Sequence, residues 1–163
     1  MIIKNGLLID PVKEMTYVAD LRISDGKIAE IAENIEASGN EEIIDASGKC
    51  VAPGLIDGHV HFRDPGFTYK EDIHTGALSA AAGGFTTVIC MANTKPVVDN
   101  VETLKYVLDT GKNEKINVLQ AGAVSVGFKG EEMTNFEELL AKYPHARMHF
   151  LSTKAPRGYT DVQ

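Results

Sequence analysis

Apolar and polar positions alternate in short runs over residues 1–52, the period of strands with one buried face. Met1–Lys4 and Leu7–Ile9 flank Asn5-Gly6, a dipeptide suited to a tight hairpin turn. Val18–Ser24 alternates, turns at Asp25-Gly26 and returns through Lys27–Ala32. Glu42–Asp45 and Lys49–Ala52 bracket a further turn at Ser47-Gly48. The pattern predicts a small antiparallel sheet module, too small and too rich in edges to be comfortable alone.

From Pro53 the rhythm changes to strand, loop, helix. Leu55–His61 predicts a buried strand. Thr68–Glu71 has the Ser/Thr-x-x-Glu form of a capping box and opens a helix to Ala82, which Gly83-Gly84 closes. Phe85–Met91 is the next strand. Asp99-Asn100 offers an N-cap, with Glu102 three residues after Asp99, for a helix to Thr110. Ile116–Val124 predicts a third strand, Asn135–Lys142 a helix and Arg147–Leu151 a fourth strand. Strands and helices alternating at this spacing imply right-handed βαβ units and a parallel sheet, hence an α/β protein.

Composition adds bounds. The 163 residues suffice for one ordinary domain, yet a (β/α)₈ barrel typically takes about 250 residues, so the chain holds room for part of one. A formal net charge of −7 argues against a nucleic-acid or anionic-membrane partner. No apolar run approaches bilayer-spanning length, and no long apolar core follows the early lysine as a signal peptide would require. Cys50 and Cys90 lie in apolar strand contexts and read as reduced core residues of a cytoplasmic protein.

The chemistry concentrates in Gly58-His59-Val60-His61-Phe62-Arg63-Asp64-Pro65-Gly66. Side chains at i and i+2 of a strand point the same way, so His59 and His61 aim two imidazoles at one point, as a divalent metal requires. Satisfied strand histidines are the alternative. Asp57 points to the same face if the strand is regular, where it would orient a ligand. Arg63 can hold a carboxylate by two parallel hydrogen bonds, or else pair with Asp64. Asn93, just past the second strand, can donate amide hydrogens to that carboxylate, or merely stabilise the turn before Pro96.

Gly54-Leu55-Ile56-Asp57-Gly58-His59-Val60-His61-Phe62-Arg63-Asp64-Pro65-Gly66 resembles the metal-binding signature of the cyclic amidohydrolases, most closely the dihydroorotase family. Gly83-Gly84-Phe85-Thr86-Thr87-Val88-Ile89-Cys90-Met91-Ala92-Asn93-Thr94-Lys95-Pro96 resembles that family's next strand and its Asn-Thr-x-Pro loop. The resemblance runs to about residue 140. It implies a partial (β/α)₈ TIM barrel over residues 53–163, truncated, preceded by residues 1–52 as the N-terminal part of a composite β-sandwich. It implies one or two zinc ions, with His59 and His61 as ligands and Arg63 and Asn93 on the α-carboxylate of dihydroorotate or carbamoyl aspartate. Bound metal lowers the pKa of a water towards about 7, which suits hydrolysis of an unreactive cyclic amide. The family's general-acid aspartate comes from a last barrel strand that this sequence lacks, so no catalytic acid is assigned.

Other residues are weaker candidates. His74 reads as solvated or helix-packing. Met148–Lys154 resembles a later family strand, but Phe150 takes the place of its metal-binding histidine. His149 stands one residue early, on the opposite strand face, and His145 falls in the same stretch. Gly158-Tyr159-Thr160-Asp161 resembles the start of a segment whose first aspartate bridges two metals, which makes Asp161 a metal candidate; an exposed aspartate is the alternative. Lys154 and Lys129 are nominal candidates for the carboxylated lysine of other cyclic amidohydrolases. The functional expectation is dihydroorotase of pyrimidine biosynthesis, incomplete in this chain alone. The alternatives are an inactive truncated relative with an assembly role, and a hydantoinase or allantoinase relative. Family behaviour leaves homo-oligomerisation or association with aspartate transcarbamoylase open.

Overall fold

A computed structural model describes residues 1–143. The strand expected over Arg147–Leu151, and His145, His149, Lys154 and Asp161, lie outside the described residues. The chain divides into two compact units, Met1–Pro53 and Gly54 onward.

In the first unit, β1 (Ile2–Asp10), β2 (Met15–Ser24) and β3 (Lys27–Ala32) form an antiparallel meander, with Asp25 and Gly26 at positive φ in the β2–β3 turn. The hairpin expected at Asn5-Gly6 does not form. β1 runs straight through it as a bulge: Asn5 takes φ 61°, and the register on β2 slips between Ile3 and Gly6. Buried Asp20 holds the bulge, accepting from Asn5 N at 2.8 Å and from Ile35 N at 2.9 Å, with Lys4 Nζ at 3.4 Å. Gly6 is required by close approach, since a β-carbon there would lie 2.5 Å from Val51 Cγ2.

β4 (Ile43–Asp45) and β5 (Cys50–Val51) also differ from expectation. Both pair with β1 in parallel, so the sheet is mixed and not antiparallel. The turn at Ser47-Gly48 steps the chain along β1, with Ala46 N donating to Lys4 O and Leu7 N to Lys49 O, and the two short strands do not fold onto each other. Leu8, Ala19 and Leu21 form this unit's core. Cys50, expected inside, is exposed.

The second unit is a parallel sheet in the order β6-β7-β8, built from β6 (Leu55–Val60), β7 (Phe85–Cys90) and β8 (Asn117–Gln120). α1 (Ile73–Ala82) and α2 (Val101–Gly111) connect them, and a 3₁₀ turn (Val126–Phe128) precedes α3 (Phe136–Lys142). The period of two sorts the strand residues: Val88, Cys90 and Val118 pack with Ile73, Leu104 and Val107 of the helices, whereas Ile89, Met91 and Ala121 form a separate cluster.

Helix α1 starts later than the Thr68–Glu71 capping box predicts. Its N-cap is Asp72, whose carboxylate accepts from Thr75 N at 2.7 Å, and Thr75 Oγ1 faces the Asp72 N–H in return. Glu71 is instead bonded to the Thr75 hydroxyl. Asn100, not Asp99, caps α2, accepting from Thr103 N at 2.9 Å; Asp99 accepts from Gly127 N in the loop after β8. β8 ends at Gln120, before the expected Val124, because Ala123 N donates out of the sheet to Val98 O. Among the described residues no helix is long and apolar enough to cross a membrane.

Candidate metal and carboxylate site

β6 delivers the two histidines through an irregularity. Its register on β7 slips between Asp57 and Val60, so one extra residue bulges at Gly58-His59. Asp57 braces the bulge by accepting from His59 N at 3.0 Å. Its carboxylate is thus turned to the backbone of His59, not to an imidazole as a regular strand would allow. The His59 and His61 rings nevertheless lie edge to face, 5.1 Å apart between centroids, and both residues are exposed.

His61 Nδ1 is 2.9 Å from Asn93 Oδ1. With the proton on Nδ1, His61 donates to that oxygen, and its Nε2 lone pair is left for a metal, the arrangement in which an outer partner sets a ligand's tautomer. Asn93 keeps its amide hydrogens for another acceptor. It does not brace the turn before Pro96. Thr94 does, donating from Oγ1 to Pro96 O at 2.6 Å.

The loop that follows β6 and the loop that follows β7 are joined by backbone. Lys95 N donates to Pro65 O at 3.0 Å, and a β-carbon on Gly66, at φ 93°, would stand 1.9 Å from the Lys95 carbonyl oxygen. Arg63 and Asn93 are therefore carried by one fused platform. Arg63 itself is half-buried, takes φ 61°, and forms no ion pair with Asp64. Asp64 is buried and accepts from Tyr106 Oη at 3.0 Å and Ile73 N at 3.5 Å. Burial, and then the hydrogen bond to Asp64, push the Tyr106 phenol up. Burial, and then the Asp64 charge, push the Cys90 thiol up to about 12. Sequence reasoning missed Asp64 as an acceptor, and nothing local to Tyr106 announces its role.

The remaining candidates stand apart. His74 is exposed and meets Glu114 at 3.1 Å, and Lys129 is exposed. Among the described residues no group of three or more His, Cys, Asp or Glu is placed to hold a metal ion. The imidazole pair suits a divalent cation, but catalytic zinc ordinarily takes three protein ligands, so two imidazoles alone would not complete such a site.

The fold of the chain is shared with solved hydantoinases. L-Hydantoinase (dihydropyrimidinase) from Arthrobacter aurescens is similar with a TM-score of 0.69 and 28% identity, over 88% of this chain and 30% of that one. The chain belongs to the dihydro-orotase-like family, whose model matches residues 48–147. Its relatives include a dihydroorotase of Clostridioides difficile (strain 630), 58% identical over 139 residues, covering 85% of this chain and 33% of that protein. A dihydroorotase of Streptococcus pneumoniae (serotype 4, strain TIGR4) is 54% identical over 140 residues, covering 86% and 33%. The chain spans about a third of the length of the curated relatives it matches.

Proposed function

We propose that this chain carries the first metal ligands and the carboxylate receptor of a cytoplasmic dihydroorotase, which interconverts L-dihydroorotate plus water with N-carbamoyl-L-aspartate. In this reading β6, β7 and β8 are the opening strands of a (β/α)₈ barrel, and residues 1–52 are one part of a composite β-sandwich. The observation that carries it is the pairing of His59 with His61, tied through Asn93 to the platform that bears Arg63.

His59 and His61 would hold a zinc ion, which when bound polarises the ring amide and supplies a nucleophilic water at neutral pH. Arg63 binds the substrate carboxylate by two charge-assisted hydrogen bonds, fixing orientation as well as charge. Asn93 accepts from His61 with its oxygen and donates to the same carboxylate with its nitrogen, so substrate position is referred to the metal ligand. The group that would protonate the departing ring nitrogen is not among the residues brought together here. Fold similarity favours a hydantoinase as the second reading; a receptor for a carboxylate, which hydantoin lacks, favours the first.

The test is zinc retention and N-carbamoyl-L-aspartate binding by the purified chain, alongside dihydroorotate hydrolysis. The unmodified chain should retain more zinc than His61→Ala. Arg63→Ala should weaken carbamoyl aspartate binding by about tenfold or more, as loss of hydrogen bonds to a charged group implies. Equal zinc content in the unmodified chain and His61→Ala would overturn the metal assignment, and equal affinity in Arg63→Ala would overturn the receptor.

A further inference from the structure

Arg63 occupies a backbone region that L residues other than glycine rarely adopt, at φ 61°. Such a conformation persists only where the surroundings hold it, and both neighbours of Arg63 are anchored. Phe62 is buried against α1, with its ring 2.4 Å from where a β-carbon on Gly76 would stand. Asp64 is 7% exposed, and its two carboxylate oxygens reach different helices: Oδ1 accepts from Tyr106 of α2, Oδ2 from Ile73 N at the start of α1. The Arg63 carbonyl accepts from Phe67 N at 2.9 Å, which closes the loop. Among the described residues Arg63 has no ion-pair partner that would fix its guanidinium directly, so its placement depends on the backbone on either side of it.

We infer that Asp64 and Tyr106 form a positioning pair, which holds Arg63 in its left-handed conformation and so aims its guanidinium as a carboxylate receptor. Neither residue touches the substrate. The receptor half of this inference rests on the proposed function, and the conformational half does not. Tyr106 sits 42 residues away in sequence, on α2, so the pair is a tertiary device. A buried acceptor that loses a donor is costly, so removal of the Tyr106 hydroxyl leaves Asp64 Oδ1 to seek water or to swing, and Arg63 moves with it.

The experiment is NMR on the isotope-labelled 163-residue chain, comparing the unmodified protein, Tyr106→Phe, Asp64→Asn and Arg63→Ala. The intraresidue amide-to-Hα Overhauser effect of Arg63, strong at positive φ, reads its backbone without any ligand. We expect it strong in the unmodified chain and weakened in Tyr106→Phe, with the Gly66 and Phe67 amides shifted. An Arg63 signal unchanged in Tyr106→Phe, in a chain that remains folded, overturns the inference. Should Asp64→Asn fail to fold, Tyr106→Phe still decides. Titration with N-carbamoyl-L-aspartate then reads the receptor: loss of one hydrogen bond, about 1 kcal/mol, corresponds to weakening by about fivefold in Tyr106→Phe. Affinity unchanged in Arg63→Ala would overturn the receptor reading, while the Overhauser effect would still decide whether the pair holds Arg63.

Discussion

Cys50 and Cys90 look alike in the sequence, each a small thiol in an apolar run, and the fold makes them opposites. Cys50 on β5 is exposed, whereas Cys90 is buried beneath Asp64 with its thiol pushed up to about 12. The thiolate is the nucleophile, so at pH 8 iodoacetamide should label Cys50 and leave Cys90 untouched until the chain is unfolded. Peptide mass spectrometry checks this; equal labelling of both under native conditions would contradict the burial. The same contrast applies at the candidate site. Local spacing and chemistry single out His59, His61, Arg63 and Asn93 as candidates. The roles of Asp57, Thr94 and Tyr106 were not legible in this way, because each is defined by a partner that only the folded chain supplies: a bulged backbone amide, a turn carbonyl, a buried carboxylate on another element.

At the scale of elements, periodicity located most strands and helices, and local competition decided their ends. The helix expected from Thr68 begins at Ile73 because Asp72 can accept from Thr75 N, and its carboxylate is held low first by that hydrogen bond. α2 is a surface helix with a buried stripe of Thr103, Leu104 and Val107 laid on the sheet. Leu104→Ala removes fully buried side-chain volume from the largest core, and should cost about 2–5 kcal/mol of stability. Urea unfolding followed by circular dichroism measures it; a loss under 1 kcal/mol would mean that the stripe is not the packing surface described here. The Asn5-Gly6 dipeptide is the instructive miss. Its conformational preference for a positive φ was met, but in a bulge, because buried Asp20 offers Asn5 N an acceptor that a hairpin turn would not.

For the molecule as a whole, the carboxylates set the response to acid. Asp10, Asp20, Glu41, Asp45, Asp72 and Asp109 are all held below their ordinary values. Asp20 is the buried one: burial pushes it up, but the N–H groups of Asn5 and Ile35 and the Lys4 ammonium outweigh that and leave it lowered. A lowered folded-state pKa means that the unfolded chain takes up protons first. The stability these groups add is therefore present above about pH 4, the unfolded carboxylate value, and is lost as pH falls through their folded values. Urea midpoints should be flat from pH 7 to 5 and then drop, and Asp20→Asn should be less stable at pH 7 with a shallower acid drop. Parallel acid curves for the two proteins would refute the role given to Asp20.

The amino-acid sequence by itself determined the α/β alternation from Pro53, the hairpin at Asp25-Gly26, the cap near Asn100, and a His-x-His pattern at His59 and His61 beside Arg63. These follow from side-chain period, turn preference and donor chemistry, all of which act within a few residues. Only the tertiary structure decided that β4 and β5 run parallel to β1, that β6 bulges at the histidines, and that the loops bearing Arg63 and Asn93 are fused through Pro65, Gly66 and Lys95. Those outcomes depend on hydrogen-bond partners and close approaches between residues far apart in the chain. The local pattern that names a side chain cannot say which distant amide or carbonyl will meet it.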